Sequence, residues 1–90
     1  MSAACCPVEV SVLAEGGALA HARVVASDAP IAGLPWIAAA RRAVRRAVPG
    51  AVGITLPTQD PESPGVWRAL AAPRSGRGLP IEILVREGHR

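Results

Sequence analysis

Apolar and polar residues alternate in four stretches of the chain, which is the pattern of strands with one buried face. These stretches are residues 8–13, 19–27, 51–56 and 79–87. Residues 35–48 instead repeat apolar positions every three or four residues, as an amphipathic helix does. The pattern therefore predicts a strand, a second strand, a helix and two further strands.

The first two predicted strands are separated by the turn residues 15–18, which predict a hairpin. A three-residue loop over 16–18 keeps the small apolar residues of both strands on one face, whereas a two-residue loop would mismatch them. The predicted pairs are Val12 with Ala22, Val10 with Val24, Val8 with Ala26, and Ser11 with Arg23.

Residues 58–65 are rich in proline and polar side chains and predict a loop. Ser63 and Pro64 are then suited to cap a short helical turn over 66–70, and residues 74–78 predict a mobile basic loop. The predicted fold is α+β, with a four-stranded mixed sheet and one amphipathic helix packed on one face. Because the last strand is the most apolar, we expect it in the centre of the sheet, parallel to the first.

This order of elements over residues 8–87 resembles β-grasp domains of the ubiquitin-like kind. The resemblance implies a scaffold that other proteins bind. Ubiquitin-like modifiers end in Gly-Gly, whereas this chain ends Gly88-His89-Arg90, so we expect no conjugation or sulfur transfer. We expect residues 1–7 to be a flexible segment, 8–87 a single domain and 88–90 a tail.

The composition limits both the core and the interpretation of charge. A chain of 90 residues forms one domain with one core. All its basic residues are Arg, and Lys, Asn, Phe and Tyr are absent, which indicates a GC-rich, bacterial coding sequence. We therefore do not take Arg in place of Lys as evidence of phosphate binding. The core must consist of Val, Ile, Leu and Ala around Trp36 and Trp67.

Several classes of protein are disfavoured by what the sequence contains. No apolar run approaches the roughly 18 residues of a membrane span, and no signal-peptide pattern begins the chain, so we expect a cytoplasmic protein without a membrane partner. Cys5 and Cys6 are adjacent and predict free thiols, with a redox role left open. His21 and His89 are too isolated for a metal site. We predict no cofactor, no metal and no catalytic residues.

The predicted helix has a basic face formed by Arg41, Arg42, Arg45 and Arg46, with no acidic residue in the helix. Such a face suits an acidic protein partner. It also suits nucleic-acid phosphates, with help from Arg74 and Arg77, although the chain lacks aromatic residues on which bases stack. The alternative is a solvated face whose charges are met by glutamates elsewhere.

The predicted sheet has a second candidate surface on the side away from the helix. Its residues are Leu13, Leu19, His21, Arg23, Val25 and Leu84. A cluster of exposed leucines with a polar rim is typical of a partner-binding or self-association surface, although scattered exposed leucines are also common. We therefore predict a non-catalytic protein-interaction module, with nucleic-acid binding as the alternative.

Overall fold

A computed structural model of the chain describes residues 8–87, which form one helix and six strands. In chain order these are β1 Val8–Ala14, β2 Leu19–Arg23, α1 Ile37–Ala47, β3 Ala51–Ile54, β4 Thr58–Asp60, β5 Ser63–Pro73 and β6 Leu79–Glu87. The predicted α+β class is confirmed, and so is the last strand over residues 79–87.

The strands form one antiparallel sheet in the order β2-β1-β6-β5-β3, with β4 also paired to β5. The predicted four-stranded mixed sheet is wrong. β6 does lie in the centre beside β1, as expected, but the two strands are antiparallel. The reason is the additional strand β5, which reverses the chain direction between β3 and β6. The resemblance to β-grasp domains stays a prediction.

β4 and the start of β5 replace the loop predicted over 58–65, and β5 also replaces the helical turn predicted over 66–70. Trp67 and Ala69 face the helix side, whereas Val66 and Leu70 face the opposite side. Because both faces carry apolar residues, the alternation that marks a strand is weak in the sequence. The strand is fixed instead by its neighbours, since β6 pairs along one edge and β3 and β4 pair along the other.

The β1–β2 hairpin has the predicted faces in a different register. Val10 pairs with Ala22 and Val12 with Ala20, a shift of two residues from the prediction, and the second strand ends at Arg23. A shift of two keeps the same side chains on each face. The three-residue loop is 15–17, closed by the Ala14 N–H, which donates to the Ala18 carbonyl at 2.8 Å.

The helix begins two residues later than predicted, because Pro35 and Trp36 belong to the preceding turn, and it ends at Ala47, one residue before the predicted end. Its buried face contacts β1, β2 and also β3. Because β2 and β3 are the two opposite edges of the sheet, the sheet must curl around the helix.

The core contains the residue types that the composition predicts, except that leucine is absent from its most buried part within residues 8–87. Its largest completely buried side chains are Val10, Val12, Val44 and Ile83. The rings of Trp36 and Trp67 pack edge to face, with centroids 5.0 Å apart. This geometry is favourable for aromatic pairs and ties the start of the helix to β5.

A tight turn over residues 31–34 precedes the helix. The Leu34 N–H donates to the Ile31 carbonyl at 3.0 Å, and both central residues have positive φ, 57° at Ala32 and 76° at Gly33. Positive φ at both central positions is typical of a type I′ turn, which favours Asn-Gly. Ala32 is the one non-glycine residue with positive φ in the described chain. Its left-handed backbone therefore stores strain.

We expect Ala32→Asn to stabilise the protein by about 1 kcal/mol, because asparagine adopts the left-handed conformation at lower cost than alanine. In thermal unfolding, this gain corresponds to a rise in Tm of roughly 4–8 °C for a domain of this size. Ala29→Asn is the control, since Ala29 is an exposed loop residue without positive φ. An unchanged or lower Tm for Ala32→Asn would contradict the inference that the backbone is strained at this position.

Candidate functional site

The basic helix face is partly used within the fold. Arg42 forms two hydrogen bonds to the carboxylate of Asp28, at 2.9 and 3.1 Å, and also donates to the carbonyl of Arg23. The Asp28 side chain is 7% exposed and also accepts from the Val25 N–H at 3.0 Å. The helix itself contains no acidic residue, but the charge of Arg42 is met by this aspartate rather than by one of the glutamates. Its partner comes from the loop before the helix.

Arg46 makes a second contact from the helix to β2, because its Nη1 donates to the carbonyl of His21 at 2.8 Å. The Val24 N–H donates to the Val8 carbonyl, which places the β1–β2 hydrogen bonds at the even-numbered residues of β2. The carbonyls of His21 and Arg23 therefore point away from β1, toward the open edge of the sheet. Arg42 and Arg46 cover this edge, which would otherwise be free to pair with another strand.

Arg41 and Arg45 form no ion pair with any residue in 8–87. Arg41 is half-buried at a small cavity of about 190 Å³ beside Ile37 and Pro57, whereas Arg45 is exposed. Arg74 and Arg77 lie in the exposed loop between β5 and β6. The predicted four-arginine surface is thus divided into two arginines that contact β2 and two that do not.

The outer sheet face, on the side away from the helix, brings the predicted leucines together. Leu19 pairs with Leu13 across β2 and β1, and Leu84 is diagonal to Leu13 across β1 and β6. Their exposed fractions are 53%, 38% and 36% in that order, so each is partly available to a partner. Leu13 is the residue at which the apolar parts of neighbouring strands meet.

The other predicted residues of this face are polar or peripheral. The Oγ atom of Ser11 lies 2.8 Å from Nδ1 of His21, and Arg23 forms an ion pair of 3.5 Å with Glu9. Val25 lies in the turn that follows β2. The pair of Arg23 and Glu9 separates it from the leucines, so it does not belong to their cluster.

The outer face continues onto β5, the start of β6 and the segment after β3, where it contains residues that the sequence analysis missed. These are Leu56, Val66, Leu70 and Pro80. The pairing beside β5 becomes irregular at Thr55: its N–H donates to the Leu70 carbonyl at 2.9 Å, but the Leu70 N–H donates to the Thr55 hydroxyl oxygen, also at 2.9 Å. Next to this irregular pairing is a groove of about 630 Å³ between Leu13, Leu56 and Leu70. No clear signal in the sequence pointed to it, because Val66 and Leu70 are apolar like the core-facing residues between them.

One ionic cluster lies at the side of this groove. Arg68 donates to Asp60 at 2.6 Å and lies 3.5 Å from Glu82. The Arg68 guanidinium lowers the pKa of Asp60, helped by the backbone N–H of Glu62. The positive charge of Arg68 is therefore balanced by carboxylates of the same chain. Because there are two carboxylates and one guanidinium, the cluster has a net negative charge.

In residues 8–87 no three His, Cys, Asp or Glu side chains form a group that could hold a metal ion. The pair of Ser11 and His21 lies on the open face of the sheet, and the nearby Glu9 is paired with Arg23. Cys5, Cys6 and His89 lie outside the described residues. Over the same range, no helix is long and apolar enough to cross a membrane.

Comparisons of the chain with protein-family models, curated proteins and solved structures found no match. The functional argument therefore rests on the geometry of these two surfaces.

The pair of Asp28 and Arg42 makes stability depend on pH. Hydrogen bonds from Arg42 and from the Val25 N–H lower the pKa of Asp28 below its ordinary value of 3.8. The folded state thus binds its proton less readily than the unfolded state does. The stabilisation is complete at neutral pH and is lost as pH falls below 3.8 and through the lowered folded-state pKa.

We expect Asp28→Asn to lower Tm by several degrees at pH 7, because it removes the charge while keeping the shape of the side chain. The difference from the unchanged protein should shrink as pH falls below 3.8. Glu9→Gln is the control, since the ion pair of Glu9 with Arg23 is largely exposed and should contribute little. A difference in Tm that is constant with pH would contradict a role for the ionised Asp28.

Arg45 and Arg46 provide a matched test of the covered sheet edge, because both lie in the last turn of the helix and only Arg46 contacts β2. We expect Arg46→Ala to lower Tm by a few degrees and to increase aggregation on heating, since it uncovers the His21 carbonyl. Arg45→Ala should leave Tm and aggregation nearly unchanged. If the two variants change Tm in differential scanning calorimetry and aggregation in light scattering equally, the charge of the helix and not the covered edge determines both.

Proposed function

We propose that this protein is a non-catalytic interaction module that binds another protein through its outer sheet face. The observation that carries the proposal is the continuity of exposed apolar side chains around Leu13. In the register of β1, Leu13 lies directly opposite Leu19 on one side and diagonal to Leu84 on the other. Apolar residues grouped in this way, with polar side chains around them, are typical of an interface core.

The basic helix face supports a smaller part of the proposal. Because Arg42 and Arg46 bond to β2 and to Asp28, only Arg41 and Arg45 remain to contact an acidic region of a partner. The same two contacts weaken the alternative of nucleic-acid binding, which needs several arginines at once to neutralise phosphates. The outer sheet face is therefore the surface on which we base the function.

The test compares the unchanged protein with the double variant Leu13→Ser/Leu84→Ser. Immobilised protein is incubated with an extract of the cells that produce it, and each captured protein is purified and titrated directly. We expect a partner whose affinity falls at least tenfold with the double variant, because two central apolar contacts are lost. Light scattering of the isolated chain measures self-association in the same variants.

Ile31→Ser is the matched control, because Ile31 is 44% exposed and lies on the helix side of the molecule. It should bind the partner like the unchanged protein. The proposal is wrong if no interaction, with another protein or with itself, is weakened by the double variant more than by Ile31→Ser.

A further inference from the structure

The groove beside β5 is the most strongly shaped part of the outer sheet face. Its floor is formed by Leu13, Leu70 and Pro80, which lie on three adjacent strands. Leu56 forms a wall and is 68% exposed, the highest fraction among the large apolar residues described. The volume of about 630 Å³ lies within the usual range for ligand sites and is large enough for an apolar side chain and its neighbours.

The charges around this groove are unequal. Glu15 and Glu82 both line it, and Arg68 is the one basic residue among its lining residues. Arg68 is already paired with Asp60 and Glu82, whereas Glu15 forms no ion pair with any residue between 8 and 87. The groove is therefore negative in a chain whose formal net charge is +3.

Both carboxylates line the part of the groove that is formed by β1, the loop after it and β6. Glu82 pairs with Leu13, and Glu15 is the first residue of the loop, just past the last β1–β6 pair of Ala14 with Ile81. In an extended peptide, side chains two residues apart point the same way and lie about 7 Å from each other. One such side chain can thus enter the apolar floor while the next approaches the carboxylates.

We infer that the groove binds an extended peptide segment of a partner protein, with a large apolar residue followed or preceded two positions away by Lys or Arg. The inference rests on the proposed function and specifies the partner. The apolar side chain contacts Leu13, Leu56 and Leu70, and the cation lies between Glu15 and Glu82. The charge of the groove, opposite to that of the basic helix face, favours this ligand over an acidic one.

The test uses a phage-displayed library of random peptides selected on the immobilised full chain. We expect selected peptides to share an apolar residue with Lys or Arg two positions away. The matched bait is Glu15→Gln/Glu82→Gln, on which the apolar preference should remain and the basic preference should disappear. Glu9→Gln is the control bait, because Glu9 lies on the same sheet face outside the groove. It should select the same peptides as the unchanged chain.

A selected peptide is then synthesised with a fluorescent label and titrated by fluorescence polarisation. We expect the double glutamine variant to weaken its binding roughly fivefold to tenfold, the scale of two exposed ion pairs, and high salt to have a similar effect. Leu70→Ser should weaken the binding of the selected peptide. It should also weaken the binding of a second peptide that has Ser in place of the Lys or Arg. Circular dichroism establishes that each variant is folded.

The outcomes separate this inference from the proposed function. Selection of acidic or purely apolar peptides, or of no peptides, overturns the inference, whereas a partner that depends on Leu13 and Leu84 would still support the function. Self-association that Glu15→Gln/Glu82→Gln abolishes would identify a second copy of the chain as the occupant of the groove. That result would also overturn the inference that a partner's peptide binds there. If neither peptides nor a face-dependent partner is found, both proposals are wrong.

Discussion

Close packing of a helix rich in alanine against the sheet is the constraint from which most of the structure follows. Ala39, Ala40 and Ala43 are completely buried, so no long side chain separates this part of the helix from the strands. The sheet curls until both of its edges contact the helix. This proximity also brings Arg42 and Arg46 within hydrogen-bonding distance of β2. The close packing of the helix on the sheet thus explains both the thin core of a chain without Phe or Tyr and the covering of the β2 edge by the two arginines.

The helix, the first hairpin and the last strand could be predicted from the sequence because each has a clear period and a clear stop. β5 could not, because Val66 and Leu70 make its outer face apolar and conceal the period of two. Because β5 was not predicted, the direction of β6 relative to β1 was predicted wrongly. Leu13, Leu19 and Leu84 were correctly placed on one face, because alternation alone fixes the face. The groove depends on Leu56 and Leu70, whose positions depend on the unpredicted strand.

The distribution of charge also required the folded structure. The helix arginines look uncompensated along the sequence because Asp28 precedes the helix by nine residues and belongs to a loop. Its contact with Arg42 exists only when the loop after β2 folds back onto the helix. Within residues 8–87, folding therefore leaves a basic side with two arginines that form no ion pair and an acidic groove on the opposite side of the sheet. The formal net charge does not reveal this separation.

The interruption between β3 and β4 has an evolutionary consequence. Residues 55–56 are exposed and form the groove wall, whereas Pro57 is buried and holds the chain where pairing resumes at Thr58. Leu56 is 68% exposed, so its substitution removes little buried surface, whereas Thr55 accepts the hydrogen bond from the Leu70 N–H. Related chains could therefore change the size or chemistry of this part of the groove through residue 56 while the helix and the central strands stay the same. The break in the strand makes the shape of the groove separable from folding.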